Sequence, residues 1–367
     1  MRGAALVDGP PREVLVVVTR RIGDVLLATP LIRSLRAAWP DTAVDALVFA
    51  GTEGVLAGNP DIRRVVTVPE RPTAGAHLAL LRSLRRRYAL ALSLVPGDRP
   101  TLYAFVAGRR RAGLLVPGRK NAWKQRLLQA WAPFDDLNTH TVRMHLALAG
   151  LLGIPPIADV IPSWHPQDEA QVDAMLTPAD RPIAVLHAYP KYRYKMWPAD
   201  RWTALGCTLT EHGYRVVLTG SPDAREVEYL RELAEGLPPD SLNAAGRLTL
   251  GGSVCLVSRA ALFIGADTAM THAAAALGVP TVALFGPSNP VKWGPWPRGH
   301  TAAANPWHRC GTQRVGNVVL LQGVQACVPC LLEGCDRHIE SNSDCLLTLP
   351  TAKVLRAVDA LVLGQRG

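Results

Sequence analysis

The sequence predicts an α/β protein built from two doubly wound domains, and three observations support this fold class. Short apolar runs typical of buried strands alternate with helix-like segments in both halves of the chain. A proline-rich stretch at 154–182 interrupts the alternation near the middle. The chain has 367 residues, of which 48% are hydrophobic, so it is long enough for two domains that each fill a core.

Four strand-like runs in the first half are dominated by aliphatic residues. They cover 14–18, 43–49, 62–69 and 88–95. A helix-like segment follows the first run and reaches Trp39, and another at 77–87 precedes the fourth run. Strands joined by helices run parallel with right-handed crossovers. Because the runs are almost continuously apolar, we expect a sheet that is covered on both faces.

The same alternation restarts after the proline-rich stretch. Strands are predicted over 182–188, 214–220, 259–267 and 280–286, and helices over 199–213, 224–236, 268–278 and 351–364. Gly213 and Gly278 suit the left-handed position that ends a helix. We therefore expect an N-terminal domain over 1–165, a C-terminal domain over 166–350 and a final helix within 351–367.

The charge of the chain points to anionic partners. The formal net charge is +10 and the isoelectric point about 9.6, with most of the excess from arginine, whose planar fork suits phosphates and carboxylates. A nucleotide, a phosphorylated glycan, a membrane surface and a nucleic acid all fit, as does an ordinary solvated basic face. The apolar runs are shorter than the roughly 18 to 20 residues that span a bilayer. The first residues lack a signal-peptide pattern, so we expect a cytoplasmic protein.

A first candidate site lies at 265–286, where a predicted strand ends and a helix begins. Asp267 or Thr268 can cap that helix. Its first turn offers unpaired amides and the positive end of the helix dipole, which together favour a phosphate. His272 lies on the same face as Thr268 and can add a donor. The alternative is an ordinary capped helix with a buried histidine.

A second candidate site lies at 187–202, in the loop after another predicted strand. Lys191, Arg193 and Lys195 bring three cations to that loop, and Pro198 suits the first position of the next helix. A cationic loop opposite a helix N-terminus can clamp a diphosphate, while the alternative is a solvated basic loop. The chain has no dinucleotide fingerprint, no P-loop and no D-x-D triplet, and the last of these disfavours a divalent ion held by paired aspartates.

Three segments resemble the glycosyltransferase family 9 heptosyltransferases, which build the inner core of bacterial lipopolysaccharide. They are "RRIGDVLLATPLIRSLRAAWP", "YKMWPADRWTAL" and "GADTAMTHAAAALGVPTVALFGPSNPVKWGPW". The resemblance runs from residue 14 to the last helix. The loop before "KMW" and the "FGPSNPVKWGPW" segment are most similar to the heptosyltransferase III branch.

The resemblance implies a GT-B fold, in which two Rossmann-like domains face a central cleft. The N-terminal domain would hold the acceptor, the C-terminal domain would hold ADP-heptose, and the last helix would return towards the first domain. Transfer would invert the anomeric centre and require no metal or other cofactor. Asp24 would be the general base, and Lys195 would meet the phosphates. The nucleotide-binding positions would be Asp267, Thr268 and His272, with Ala269 standing where the family has glycine.

Asp24 also suits the role of a base on physical grounds. An inverting transfer needs a carboxylate within hydrogen-bond reach of the acceptor hydroxyl. Arg20 and Arg21 favour the ionised carboxylate and can gather an anionic acceptor. The alternative, that Asp24 caps a helix starting at once, is disfavoured by Pro30, which would lie inside that helix. A helix capped by Thr29 with Pro30 in first position fits better.

Further residues are expected on the acceptor and donor sides. The segment 107–127 is dense in Arg and Lys, and Arg110 and Lys120 are candidates to bind an anionic lipopolysaccharide core and to favour peripheral contact with the cytoplasmic face of the inner membrane. A solvated charged face is the alternative. Glu226 is expected either to meet the nucleotide ribose or to be a solvated helix residue.

Four cysteines near the end have spacing that is compatible with tetrahedral zinc, and unligated thiols or a disulfide are the alternatives. They are Cys327, Cys330, Cys335 and Cys345. Two other functions stay open, a nucleotide-sugar epimerase of similar fold and a basic nucleic-acid-binding protein. Asp24 together with the "DTAMTH" cluster favours the transferase, with an ADP-sugar and a lipopolysaccharide acceptor as partners and no nucleic acid.

Overall fold

The computed structural model describes residues 6, 7, 9–177 and 180–363. Contacts divide the chain into two compact units. Unit 1 contains residues up to Ile161 together with Gly299–Asn305, and unit 2 contains Pro162–Arg298 and the chain from Pro306 onward. The observed boundary lies close to the predicted one at 165, but the return of a seven-residue segment to unit 1 was not predicted.

Unit 1 is built on a six-stranded parallel sheet in the order β3-β2-β1-β4-β5-β6. Its strands are β1 (Glu13–Val17), β2 (Ala43–Phe49), β3 (Arg64–Val68), β4 (Tyr88–Ser93), β5 (Gly108–Leu115) and β6 (Ala130–Pro133). The order is that of a Rossmann-like sheet. The four predicted strands are confirmed, whereas β5 and β6 were not predicted.

Unit 2 repeats this arrangement in a seven-stranded sheet, ordered β12-β13-β11-β10-β7-β8-β9. Its strands are β7 (Ile183–His187), β8 (Arg215–Leu218), β9 (Leu242–Asn243), β10 (Leu262–Ala266), β11 (Thr281–Phe285), β12 (Gln313–Val315) and β13 (Val318–Gln322). Among the described strands of this sheet, β12 alone runs antiparallel, in a hairpin with β13. The central strands β7, β10 and β11 are buried along their whole length, as their continuous apolar sequences predict.

Helices cover both sheets. In unit 1 they are α1 (Ile22–Leu26), α2 (Thr29–Ala38), α3 (Ala74–Leu84), α4 (Asp98–Ala107), α5 (Ala122–Leu127) and α6 (Thr141–Leu152). In unit 2 they are α7 (Pro166–Leu176), α8 (Ala199–Glu211), α9 (Ala224–Glu235), α10 (Leu250–Ser258), α11 (Ala269–Leu277), α12 (Pro290–Trp293), α13 (Asp344–Leu347) and α14 (Thr351–Leu363). Within the described part of the chain, no helix is long and apolar enough to cross a membrane.

The last helix, α14, belongs to unit 2. It packs on α8 and on the strands β11 and β13. Val354, Val358 and Leu361 are buried there among the core residues of that unit. The apolar face of α14 is thus used within unit 2, and the expected return of this helix towards the first domain stays a prediction. Residues 364–367 of the predicted segment lie outside the described residues.

A buried ion network ties the strands of unit 1 together. Asp45 is fully buried in the middle of β2 and accepts two hydrogen bonds from the Arg63 guanidinium, each 2.8 Å long. The Tyr88 hydroxyl donates to the same carboxylate at 2.8 Å, and Arg64 lies 3.4 Å from it. Burial raises the pKa of Asp45, but the bonds from Arg63 and Tyr88 and the charges of both arginines outweigh burial and leave this pKa lowered.

The segment 299–305 is held to unit 1 by hydrogen bonds near the start of α6. The Asn305 amide donates to the Asn138 carbonyl and accepts from the His140 backbone N–H. Arg143 on α6 donates to the Ala302 carbonyl at 3.0 Å. The Asn305 side chain and the backbone of this short segment thus satisfy polar groups of α6 and of its preceding loop.

Candidate functional site

An ion pair between Lys195 and Asp267 marks the carboxyl edge of the second sheet. Lys195 follows β7 and Asp267 follows β10, and these strands are neighbours. The Lys195 Nζ lies 2.5 Å from Asp267 Oδ2, and the two side chains are 20% and 8% exposed. Burial raises the pKa of Asp267, but Lys195 and a hydrogen bond from Ser288 outweigh burial and lower that pKa. The Asp267 carboxylate is therefore ionised near neutral pH.

The helix α11 begins directly after this pair. Thr268 is the N-cap residue, and in the described structure its side chain accepts no hydrogen bond from the first amides of the helix. The predicted side-chain capping by Thr268 is therefore corrected, since its hydroxyl lies 3.3 Å from that of Thr271. The Asp267 carboxylate binds Lys195. Ala269 is the first helical residue. The amides of this turn are available to an anion beside the Lys195 ammonium.

His272 faces the same region from the first turn of α11. It is 5% exposed, and among the described residues its Nδ1 has no hydrogen-bond partner. Burial lowers the pKa of His272 to about 4, with Asp267 opposing and Lys195 adding to the effect. The imidazole is therefore neutral at physiological pH, and its Nδ1 can bond to a ligand. Both the buried histidine and the ligand-binding interpretation of the sequence fit this position.

Glu226 is buried rather than solvated. It lies in the first turn of α9, and the Ser221 hydroxyl donates to its Oε2. Burial raises the pKa of Glu226, and the bonds from Ser221 oppose this only in part. The expectation of a solvated helix glutamate is wrong, because the side chain turns back under the loop that follows β8. A contact with a ribose stays a prediction.

The other two cations of the 187–202 loop separate from Lys195. Lys191 and Arg193 are exposed and line a pocket of about 450 Å³. Arg193 donates to Asn342 Oδ1 at 3.1 Å, so the loop near the C-terminal cysteines forms part of the pocket wall. Pro198 lies just before α8 rather than in its first position. Of the three predicted cations, only Lys195 joins Asp267.

Asp24 lies at the carboxyl edge of the first sheet, in the first turn of the short helix α1. Its Oδ1 is 3.6 Å from Arg20 Nε, and its side chain is 12% exposed. Arg21 immediately precedes α1. A separate helix, α2, starts at Thr29 after Ala28, and the Thr29 hydroxyl donates to the Leu26 carbonyl. The predicted break before Pro30 is confirmed, but Thr29 is the first helical residue rather than the cap.

The two acceptor candidates from the basic segment lie at opposite edges of the first sheet. Arg110 pairs in register with Leu90, which pairs with Val14 near the start of β1. Arg110 therefore lies at the amino edge, away from Asp24. Lys120 lies in a 3-10 turn, Arg119–Asn121, that follows the end of β5. Only Lys120 shares the carboxyl edge with Asp24, so the grouping of Arg110 with the acceptor residues is corrected.

The C-terminal cysteines are free thiols. The pKa of the Cys345 thiol is raised to about 12, first by burial and then by the neighbouring Cys330, Cys327 and Cys335. Among the described residues, no group of three or more His, Cys, Asp or Glu side chains lies close enough to hold a metal ion. The zinc interpretation therefore gains no support from this arrangement.

Sequence reasoning missed a second buried histidine at this edge. His187 ends β7, and its Nδ1 lies 3.0 Å from the Thr219 hydroxyl at the end of β8. It pairs in register with Gly265 of β10, two residues before Asp267. Burial lowers the pKa of His187 to about 4. The sequence signal that could have identified His187 was its position at the end of an apolar run, which indicates a buried residue at the end of a strand.

The two buried histidines should make unit 2 less stable in mild acid. Both have a folded-state pKa of about 4, below the ordinary value of about 6.5. Between these pH values the histidines bind protons in the unfolded chain but not in the folded chain. Their contribution to the free energy of unfolding is therefore fully present above pH 6.5 and is lost as the pH falls towards 4. We expect His187→Asn to remove up to about 1.4 kcal/mol per pH unit from this slope.

Urea unfolding at several pH values between neutral and mildly acidic measures this slope. His212→Asn is the matched control, because His212 is exposed at the end of α8. Its slope should equal that of the wild type. Equal slopes for His187→Asn and the wild type would show that His187 is not held neutral by the fold.

Known proteins resemble the chain in sequence and in structure. The profile of "Glycosyltransferase family 9 (heptosyltransferase)" matches residues 78–318. Lipopolysaccharide heptosyltransferase 3 of Escherichia coli K12 is 29% identical over 289 residues, which cover 75% of this chain and 82% of that relative.

Solved structures extend the likeness to almost the whole chain. E. coli ADP-heptose lipopolysaccharide heptosyltransferase II matches with a TM-score of 0.73 and 21% identity, covering 97% of this chain and 100% of that one. E. coli heptosyltransferase WaaC with ADP matches with a TM-score of 0.71 and 19% identity, covering 95% and 99%. The predicted GT-B fold, with two Rossmann-like domains, is confirmed.

Proposed function

The chain belongs to glycosyltransferase family 9, and on that premise we propose that it moves a heptose from ADP-heptose to an acceptor in the inner core of lipopolysaccharide. The observation that carries the donor assignment is the Lys195–Asp267 pair beside the open first turn of α11. A diphosphate placed there takes the Lys195 ammonium and the free amides together. The ADP and ADP-heptose named for the two solved relatives support the same donor.

The donor site stabilises the departing diphosphate through fixed positive groups. As the bond to the sugar breaks, negative charge grows on the diphosphate, and Lys195 with the α11 amides lies where that charge is expected to develop. Neutral His272 offers a polar Nδ1 without adding charge. This arrangement lets the reaction proceed without a metal, so turnover is expected to persist in the presence of a chelator.

The acceptor side supplies the base in this proposal. Asp24 accepts the proton of the acceptor hydroxyl, which attacks the anomeric carbon on the face opposite the diphosphate and inverts the centre. Arg20, Arg21 and Lys120 form the basic surroundings that favour an anionic core saccharide. The identity to heptosyltransferase 3 supports the predicted heptosyltransferase III branch. The protein is expected to work on the cytoplasmic face of the inner membrane.

Membership of a glycosyltransferase family favours transfer over the two alternatives from the sequence. An epimerase would consume the nucleotide sugar without any acceptor, whereas a transferase needs both substrates. A nucleic-acid-binding protein would have no use for the Lys195–Asp267 arrangement. The deciding experiment is therefore an assay of ADP release from ADP-heptose with and without a defined core saccharide, in which release is expected only when the acceptor is present.

Replacing Lys195 by glutamine should weaken donor binding and the stabilisation of the departing diphosphate. A hydrogen bond to a charged group is worth about 1.5 to 3 kcal/mol, so kcat/KM for ADP-heptose is expected to fall by roughly 10- to 150-fold. Steady-state kinetics at varied donor concentration, with ADP binding followed by thermal shift, measure this loss. The neutral glutamine also leaves Asp267 without its cation, which adds repulsion towards the diphosphate.

Arg247→Gln serves as the control, because Arg247 is an exposed cation elsewhere in unit 2. Its donor affinity should match that of the wild type. If Lys195→Gln bound ADP as tightly as the wild type, the donor diphosphate would have to lie elsewhere.

A further inference from the structure

The 116–126 segment combines exposed apolar side chains with a local excess of positive charge. Val116 and Trp123 are 42% and 45% exposed. The segment contains four Lys or Arg residues and no Asp or Glu, and three of its cations are exposed: Arg119, Lys120 and Arg126. Amphipathic aromatic residues among cations are typical of surfaces that meet the headgroup region of a bilayer.

Buried contacts fix this surface in place. The fourth cation, Lys124, is buried, with its Nζ 2.6 Å from Asp98 Oδ1 and 3.0 Å from the Pro96 carbonyl. The Asn121 amide donates to the Val116 carbonyl at 2.9 Å and closes the loop. The Lys124 ammonium also lies 5.7 Å from the centroid of the Trp123 ring, which remains partly exposed. This contact helps to hold the ring, so little ordering is needed when the surface binds a partner.

The segment lies at the same edge of the first sheet as Asp24. It follows the carboxyl end of β5, and β4 separates β5 from β1. Two strand spacings amount to about 10 Å, so the ends of β5 and β1 are close neighbours. A surface docked on this segment would therefore lie beside the edge that carries α1 and Asp24.

We propose that the 116–126 segment docks the protein onto an anionic phospholipid bilayer. Trp123 and Val116 enter the headgroup region, and Arg119, Lys120 and Arg126 meet the lipid phosphates. An anionic bilayer fits this segment because it complements the positive charge and can bury the exposed aliphatic Val116. A nucleic-acid backbone would complement the charge but would bury no apolar surface of Val116. The purpose of docking rests on the proposed function, since a lipid-anchored acceptor would then reach Asp24.

Sedimentation with lipid vesicles tests the proposal on the full chain. The wild type is expected to bind vesicles that contain phosphatidylglycerol and not vesicles of phosphatidylcholine alone. Each cation near an anionic surface strengthens binding about five-fold, so Arg119→Gln with Arg126→Gln should weaken it about 25-fold. Trp123→Ala should weaken it about ten-fold through lost apolar burial.

Matched controls come from α3, which lies outside the 116–126 segment and ends at the opposite edge of the same sheet. Arg82 and Arg85 are exposed at the end of α3, which leads into the amino end of β4. Arg82→Gln with Arg85→Gln removes the same charge, and Leu78→Ala removes an equally exposed apolar side chain. All these control variants should bind anionic vesicles like the wild type. Equal losses in both pairs of arginine variants would overturn the proposal, because binding would then depend on net charge alone.

Turnover on a lipid-free core saccharide separates docking from transfer. Trp123→Ala and the Arg119/Arg126 double variant should keep wild-type kcat on that acceptor while losing vesicle binding. Unchanged vesicle binding in both variants would overturn the proposal, as would tight, salt-sensitive RNA binding that vesicles do not displace. A wild type that binds vesicles but transfers no sugar would refute the proposed function and leave the docking surface standing.

Discussion

Asp24→Asn is expected to lower turnover by roughly 100- to 10,000-fold, the contribution typical of a general base, while ADP binding stays at the wild-type level. Asparagine keeps the size of the side chain and its place in the first turn of α1, but it cannot accept the acceptor proton. Donor binding should persist because Lys195, Asp267 and His272 all belong to unit 2. Single-turnover transfer from ADP-heptose to a defined core saccharide measures the chemical step.

Asp41→Asn is the matched control for this change. Asp41 is an exposed aspartate of unit 1 in the turn before β2, and its replacement should leave transfer intact. Recovery of activity in Asp24→Glu, with a shifted carboxylate, would further link the loss to proton transfer rather than to folding. Wild-type turnover in Asp24→Asn would remove Asp24 from the mechanism.

Arg63→Gln is expected to destabilise unit 1 by about 3 kcal/mol, the lower end of the range for breaking a buried ion pair. The change leaves the fully buried Asp45 without its two 2.8 Å hydrogen bonds. Tyr88 and Arg64 still contact the carboxylate, which limits the cost. Urea unfolding followed by circular dichroism gives the free energy of unfolding.

Arg64→Gln provides the comparison within the same network. Arg64 contributes a contact of 3.4 Å to Asp45 and a hydrogen bond of 3.2 Å to the Tyr88 hydroxyl. Because its side chain is 46% exposed, its replacement should cost well under 1 kcal/mol. The lowered pKa of Asp45 also implies stability that is present at neutral pH and lost in acid, and Arg63→Gln should shrink that acid-sensitive part. Equal losses in the free energy of unfolding for the two arginine variants would show that the two hydrogen bonds from Arg63 to Asp45 contribute no more than the contact from Arg64.

The strands that could be predicted are those in which nearly every consecutive residue is apolar. β2 and β7 lie within or at the bounds of their apolar runs because both faces of a central strand are covered. β5 escaped prediction because it opens with "GRRR". Arg109 and Arg110 are exposed at its amino end, and only 112–115 is buried throughout. A strand that is half solvated at one end resembles a basic surface segment.

The sequence allowed individual site residues to be predicted, but not which of them contact each other. The sequence places Lys195 and Asp267 after strands, yet they are 72 positions apart, and only the adjacency of β7 and β10 joins them. The inward turn of Glu226 depends on Ser221 and on local packing that no spacing reveals. Arg110 was misplaced because its edge of the sheet follows from register, which the unrecognised β5 concealed.

The heptapeptide 299–305 has a consequence for any attempt to dissect or recombine the protein. The chain passes from one unit to the other at three points, since this heptapeptide leaves unit 2 and then rejoins it. Cutting once near residue 161 would remove the Ala302 acceptor of Arg143 and the Asn305 acceptor of the His140 amide. A chimera that exchanges unit 1 between relatives therefore has to transplant two pieces of sequence, the long one and this short one.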